Sequence, residues 1–251
     1  MKPLIPIFIA ANLFVFAAHG AVITGSVSQF SGPDDLLLDP ATNVIAVDIG
    51  GDTGPNTVNG VTFLADGTGI TGSVSSGGVT VDSTATHSIN GWQTAPVYSG
   101  GTPGSAAALS LIMHDIRWSL NPSAVDVAIS GLTPASIYNV QLLFSENGSV
   151  SDRHWDIGVD GSLVVDDYTT NGTSSTTGSV YSGNFDPGAD GTLDIVMAVD
   201  PLPGDPNNTP ATGGDNNPIL QGVIVHQIPE PAGLALLGLG LSFCFLRRRR
   251  N

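Results

Sequence analysis

Through the middle of the chain, apolar residues recur at every second position. Val125, Val127 and Ile129 alternate with Asp126, Ala128 and Ser130. Tyr138, Val140, Leu142 and Phe144 alternate with Asn139, Gln141, Leu143 and Ser145. A period of two places one set on one face of an extended strand, so both segments are predicted as strands. Trp155, Ile157 and Val159 continue the pattern. The Asp160-Gly161 pair that follows is a hairpin signal, with residues 163–165 returning. Residues 191–199 and 218–227 read as two more strands, separated by a Pro/Asn/Asp-rich loop at 200–217.

The first half is more broken. Residues 22–30 alternate loosely, and residues 43–49 read as a buried strand stopped by Gly50-Gly51-Asp52. Residues 60–64 and 78–82 are short strands between glycine turns, and residues 97–104 are a Gly/Pro loop. Residues 105–118 are the one stretch that permits a helix, opening on Ala106-Ala107-Ala108. Pro122 blocks its continuation, so a short helix passing into a strand is expected. The whole predicts an all-β body, an antiparallel β-sandwich. No repeat of solenoid or propeller period is present.

The two ends follow other patterns and are set apart from the fold. Lys2, an apolar run over residues 4–16, and small residues at Ala18 and Gly20 read as a secretory signal peptide, residues 1–20, with its own helix. At the other end, Pro229-Glu230-Pro231 precedes an apolar run at 232–246 and then Arg247, Arg248, Arg249 and Arg250. As a helix the run is about 22 Å long, short of a hydrocarbon core of about 30 Å. Snorkelling arginines and a thinned bilayer allow transient insertion in the inner membrane, with the arginines on the cytoplasmic side. The body, residues 21–228, then lies outside.

Charge narrows the partners. The chain carries a formal net charge of −15. Lys2 and the terminal arginines lie in the flanks, which leaves Arg117 and Arg153 as the only strong bases of the body. That surface excludes nucleic acid and disfavours anionic lipid. The acidic side chains of the body are aspartates except for Glu146, as suits turns rather than helices. The single cysteine, Cys244, sits in the C-terminal run, so the body has no disulfide.

Candidate chemistry is sparse. Trp92, Tyr98, His114, Asp115 and Trp118 lie in or beside irregular segments, and Arg153, His154 and Trp155 lie at a loop-to-strand junction. Gathered at one end of a sandwich, they supply aromatic faces and polar tips for a sugar; dispersed, they are core or loop plugs. Asp186, Asp190 and Asp194 have the alternate spacing of a short calcium loop, or form an Asp-Gly turn. Calcium is the one cofactor these loops leave room for; Asp34, Asp35 and Asp39 form a similar set. Ser110, His114 and Asp115 lack the Gly-x-Ser-x-Gly frame of a nucleophile. Glu146 with a neighbouring aspartate has the makings of a glycosidase pair. No catalytic residue is assigned, and no enzyme activity is expected.

Two resemblances add to this reading. The order Pro-Glu-Pro, apolar run, arginine cluster resembles the PEP-CTERM sorting signal of exopolysaccharide-producing Gram-negative bacteria, over residues 229–251. It implies recognition by exosortase, tail removal near Pro229, and a destination at the cell surface or in extracellular matrix. In the body, SGLTPASIYNVQLLFSE, RHWDIGVDGSLVVDDY, GTLDIVMAV and NNPILQGVIVHQI resemble, in that order, malectin-like domains of the galactose-binding jelly-roll superfamily, across residues 124–227. That resemblance implies a two-sheet jelly roll with affinity for carbohydrate. The family's sugar-contacting aspartate matches Asp215 of Asp215-Asn216-Asn217-Pro218, with one residue inserted. The expectation is therefore an exported protein with a structural or adhesive role on extracellular polysaccharide; the alternatives are a calcium-stabilised carbohydrate-binding module and a polysaccharide hydrolase.

Overall fold

The computed structural model describes residues 21–52, 54–147, 153–170, 173–206, 210 and 216–229. The signal segment, Asp215, Glu230, Pro231 and the tail with Arg247, Arg248, Arg249 and Arg250 lie outside them, as do both predicted terminal helices.

In chain order the first strands are β1 Ala21–Phe30, β2 Asn43–Asp48, β3 Asn56–Val58, β4 Val61–Ala65, β5 Thr71–Ser76, β6 Val79–Thr84 and β7 His87–Ile89. Helix α1, Ser105–Ile112, leads into β8 Ile116–Trp118. Then come β9 Val125–Ser130, β10 Ile137–Phe144, β11 His154–Val159, β12 Ser162–Thr169, β13 Gly178–Asp186, β14 Leu193–Ala198, β15 Ile219–Leu220 and β16 Gly222–Ile228. The mostly-β expectation holds, and the helix of residues 105–118 is an eight-residue α1 followed by a three-residue strand. Among the described residues, no helix is long and apolar enough to cross a membrane.

Two large sheets form, ordered β1-β13-β10-β16-β2-β4-β3 and β12-β11-β14-β9-β6-β5, with a small third sheet, β15-β8-β7. Pairing is antiparallel except between β2 and β4, which run parallel, a departure from the purely antiparallel expectation. The alternation seen in the sequence explains the main core. Val125, Val127 and Ile129 from β9, with Trp155, Ile157 and Val159 from β11, face Val140, Leu142 and Phe144 from β10 and Val223 and Val225 from β16.

The larger sheet buries its other face as well. Ala46, Leu143, Val180 and Ile224 point away from the main core and pack with Leu109, Ile112 and Met113 of the α1 region and with Phe30 and Tyr98. This is why β10 is buried along nearly its whole length instead of on alternate residues. The Asp160-Gly161 turn forms as predicted, with φ of 47° and 73°, the left-handed values a two-residue hairpin demands.

Candidate functional site

One end of the larger sheet gathers the polar and aromatic residues. β2 stops there at Asp48, β10 at Phe144, and β11 and β16 begin there. The chain leaving β10 carries Ser145, Glu146 and Asn147; the chain entering β11 carries Arg153. Arg153 and Glu146 form an ion pair, with their side chains only 5% and 0% exposed. Arg153 Nη1 also donates to the carbonyl of Asn217 (3.3 Å). Its guanidinium carbon lies 6.0 Å from the centre of the half-buried Trp92 ring, within cation–π range.

Asn147 fastens the Trp92 loop to this pair. Its side-chain amide donates to the carbonyls of Met113 (2.9 Å) and Trp92 (3.4 Å). The Trp92 amide donates to the carbonyl of His114 (2.5 Å), and the Gly91 amide donates to Asp115 Oδ1 (2.8 Å). Burial holds the Asp115 carboxyl above the usual carboxylate range, against the Gly91 hydrogen bond. Asp48, buried in the same region, is pushed up to about 8 by burial and then by the charge on Asp115. Trp92 thus packs its half-buried ring against the main core, with the indole Nε1 buried, beside this set of buried polar groups. A groove elsewhere, lined by Asn43, Val44, Ile45 and Ala46 of β2 and Val61, Thr62 and Leu64 of β4, brings together no such set.

The other expected sugar contacts separate. Trp155 is wholly buried against Phe144 and Tyr168, so it is a core residue and not a binding face. Tyr98 packs on Phe30 in the second core and is 6% exposed. Trp118 stacks on His87, its register partner in the small sheet, with ring centres 4.2 Å apart. Of the four aromatics, Trp92 and Trp118 keep part of their surface in solvent.

Asp186 and Asp190 of the expected calcium loop are engaged with backbone amides. Asp186 Oδ1 accepts the amide of Gly188 (3.0 Å), Asp190 Oδ1 accepts the amide of Thr192 (3.2 Å), and the Asp194 amide bonds Asp160 Oδ1 (2.8 Å). Asp186 and Asp190 cap their own turns, and the three carboxylates do not converge. Among the described residues, the acidic side chains that converge are Asp156, Asp166 and Asp167. Asp35 and Asp39 likewise cap local backbone, while Asp34 accepts the amide of the distant Gly101 (2.8 Å). No triad is assembled from Ser110, His114 and Asp115. Ser110 Oγ donates to Ala106 in its own helix, and His114 Nε2 sits 3.1 Å from the carbonyl of Gln93.

Sequence reasoning named Arg153 and Glu146 separately and missed their pairing. The available signal was scarcity: one of the two body arginines and the body's lone glutamate flank a single loop.

Comparison with solved structures finds similarity over 74% of this chain. The ANX2 ectodomain from Arabidopsis thaliana is 12% identical, with a TM-score of 0.48 and 50% of its own length covered. The ANXUR1 extracellular domain from Arabidopsis thaliana is 11% identical, with a TM-score of 0.47 and 48% covered. A Bacteroides uniformis beta-glucuronidase is 12% identical, with a TM-score of 0.45 and 18% covered. This chain therefore spans about half or less of the length of those proteins. No curated protein matches it in sequence. A family model does match residues 227–250: the chain carries a PEP-CTERM protein-sorting motif, which makes exosortase its processing partner and export to the surface or extracellular space its route.

Proposed function

We propose that this protein is a surface or matrix component that holds extracellular polysaccharide in a structural or adhesive role, without turnover. The observation that carries the reading is the Trp92 face, braced by the buried Arg153–Glu146 pair, on a body addressed for export. The resemblance of residues 124–227 to malectin-like jelly rolls supports it from the sequence side. Export by a Gram-negative host, the jelly-roll assignment and tail removal near Pro229 belong to the same reading. Hydrolysis is disfavoured because Glu146 is tied to Arg153 and Ser110 is turned into its helix.

The test is retention on exopolysaccharide of the native host, by affinity electrophoresis of the full chain and of its Trp92→Ala variant. Retention of the first and loss in the second supports the reading. Equal mobility of both with and without polysaccharide overturns it. Turnover of the polymer that vanishes with Glu146→Gln would move the protein to the hydrolases.

A further inference from the structure

The pairing of β11 with β12 is interrupted opposite Asp156. Trp155 pairs with Tyr168 and Ile157 with Val165, so Asp166 and Asp167 together face one residue. This is a β-bulge, and Asp167 adopts φ of 50° in it. Because Trp155 and Ile157 point into the main core, Asp156 points to the outer face of the six-stranded sheet. It is nevertheless only 1% exposed. The segment after β14 folds over it: Leu202 packs against Gly158, and the carbonyl of Pro203 accepts the amide of Leu163 (3.3 Å).

The carboxylate oxygens of Asp156, Asp166 and Asp167 lie within 4.8 Å of one another. Asp156 Oδ1 accepts the amide of Asp167 (2.9 Å), while the buried Oδ2 has no hydrogen-bond donor. Asp205 adds a further negative charge to the neighbourhood. The two arginines of the body are engaged elsewhere, Arg117 with Asp66 and Arg153 with Glu146. A buried carboxylate oxygen without a donor, crowded by two like charges, either takes up a proton or is stabilised by a cation.

We propose that Asp156, Asp166 and Asp167 form a calcium site at the bulge between β11 and β12. An all-oxygen, all-carboxylate set selects a hard divalent ion, and the exposed Asp166 and Asp167 leave coordination positions for water, which suits the larger and less demanding calcium over magnesium. Bound calcium would clamp the bulge under the covering segment. The site is separate from the Asp186 turn and does not rest on sugar binding.

Terbium is the probe, because Trp155 and Tyr168 adjoin Asp156 and Asp167 along their strands, on the opposite face of the same sheet, and an indole at one sheet's thickness would sensitise its emission. The full chain in detergent is titrated with terbium and then with calcium. Sensitised emission is expected, displaced by calcium with a dissociation constant of about 0.1–1 mM, the range of extracellular calcium modules. Asp166→Asn, at an exposed position, should weaken terbium binding about tenfold or more without touching the fold; Asp156→Asn should do the same, and Asp190→Asn should change nothing. Absence of emission, undiminished binding in Asp166→Asn, or displacement by magnesium as readily as by calcium overturns the proposal.

Discussion

Arg117 and Asp66 form an ion pair with both side chains almost fully buried, 0% and 1% exposed. The same guanidinium donates to the carbonyls of Gly67 (2.9 Å) and Gly69 (2.8 Å) and contacts Ser83. One side chain from the small sheet thus fastens the β4–β5 connection to the edge of the six-stranded sheet. Replacing it removes the counter-charge but leaves Asp66 in place. Arg117→Met is expected to lower unfolding free energy by about 3–5 kcal/mol, read by urea denaturation. The double variant with Asp66→Asn should recover part of the loss, since no charge then stays buried alone.

Asp48 gives a pH dependence with a defined sign. Its folded value is pushed up to about 8 from the ordinary 3.8, by burial first and the Asp115 charge second. Between those limits the unfolded chain ionises this carboxyl and the folded chain keeps it protonated. Stability contributed here is present at low pH and falls as pH rises through the window, by up to about 1.4 kcal/mol per unit. Asp48→Asn keeps a group able to accept from Asn56 and cannot ionise. Denaturation at pH 5 to 8 should show the variant with a flatter profile and the higher stability at the alkaline end. His226, held below its usual value by burial, works in the opposite sense in both proteins and cancels in the difference.

Trp92 and Trp155 should separate binding from folding. Trp155→Ala empties a filled core site beside Phe144 and Tyr168 and should cost about 3–5 kcal/mol. Trp92→Ala removes a half-buried ring and should cost much less while abolishing retention on polysaccharide. Thermal melts and affinity electrophoresis on the same pair of variants check both statements.

Gly131 begins the turn between β9 and β10 with φ of 80°, and a Cβ there would collide with the backbone oxygen of Gly78. The Tyr138 hydroxyl accepts the Thr133 amide (2.9 Å) across the same turn. Gly131→Ala is expected to destabilise by about 2 kcal/mol or more, since left-handed strain and contact strain add. A shift of the denaturation midpoint with unchanged slope would check it.

The sorting motif has its own readout. Replacing Pro229 and Glu230 with alanine should leave the tail attached, seen as intact mass including residues 232–251 and as retention in the membrane fraction. Unchanged processing in that variant would remove the role assigned to these two residues.

Much of the β framework was legible because it is local. The alternation at Val125, Val127 and Ile129, the hairpin at Asp160-Gly161 and the short α1 each follow from residues close in sequence. β13 was not legible: GSVYSGNFD is too rich in Gly, Ser and Asn for strand propensity, and it becomes a strand because β1 and β10 pair with it on both sides. The parallel β2–β4 pair and the second core behind Leu143 depend on contacts distant in the chain. The candidate site divides in the same way. Trp92 and Arg153 were visible as chemistry, but their meeting is set by Asn147 and Glu146 at the mouth of β10. The convergence of Asp156 with Asp166 and Asp167 needs a bulge that no spacing rule announces.

β16 lies between β10 and β2 inside the seven-stranded sheet and runs to Ile228, while the sorting motif starts at residue 227. The body and its address share two residues, so there is no stalk between them. Extended chain reaches at most about 3.6 Å per residue, so a protease acting at Pro229-Glu230-Pro231 must approach within about 10 Å of a folded sheet. Clearance, rather than tether length, governs that encounter. On the proposed removal of the tail near Pro229, the folded domain itself would form one wall of the cleavage station, and the shape of the sheet's rim at Ile228 would become part of what the protease has to fit.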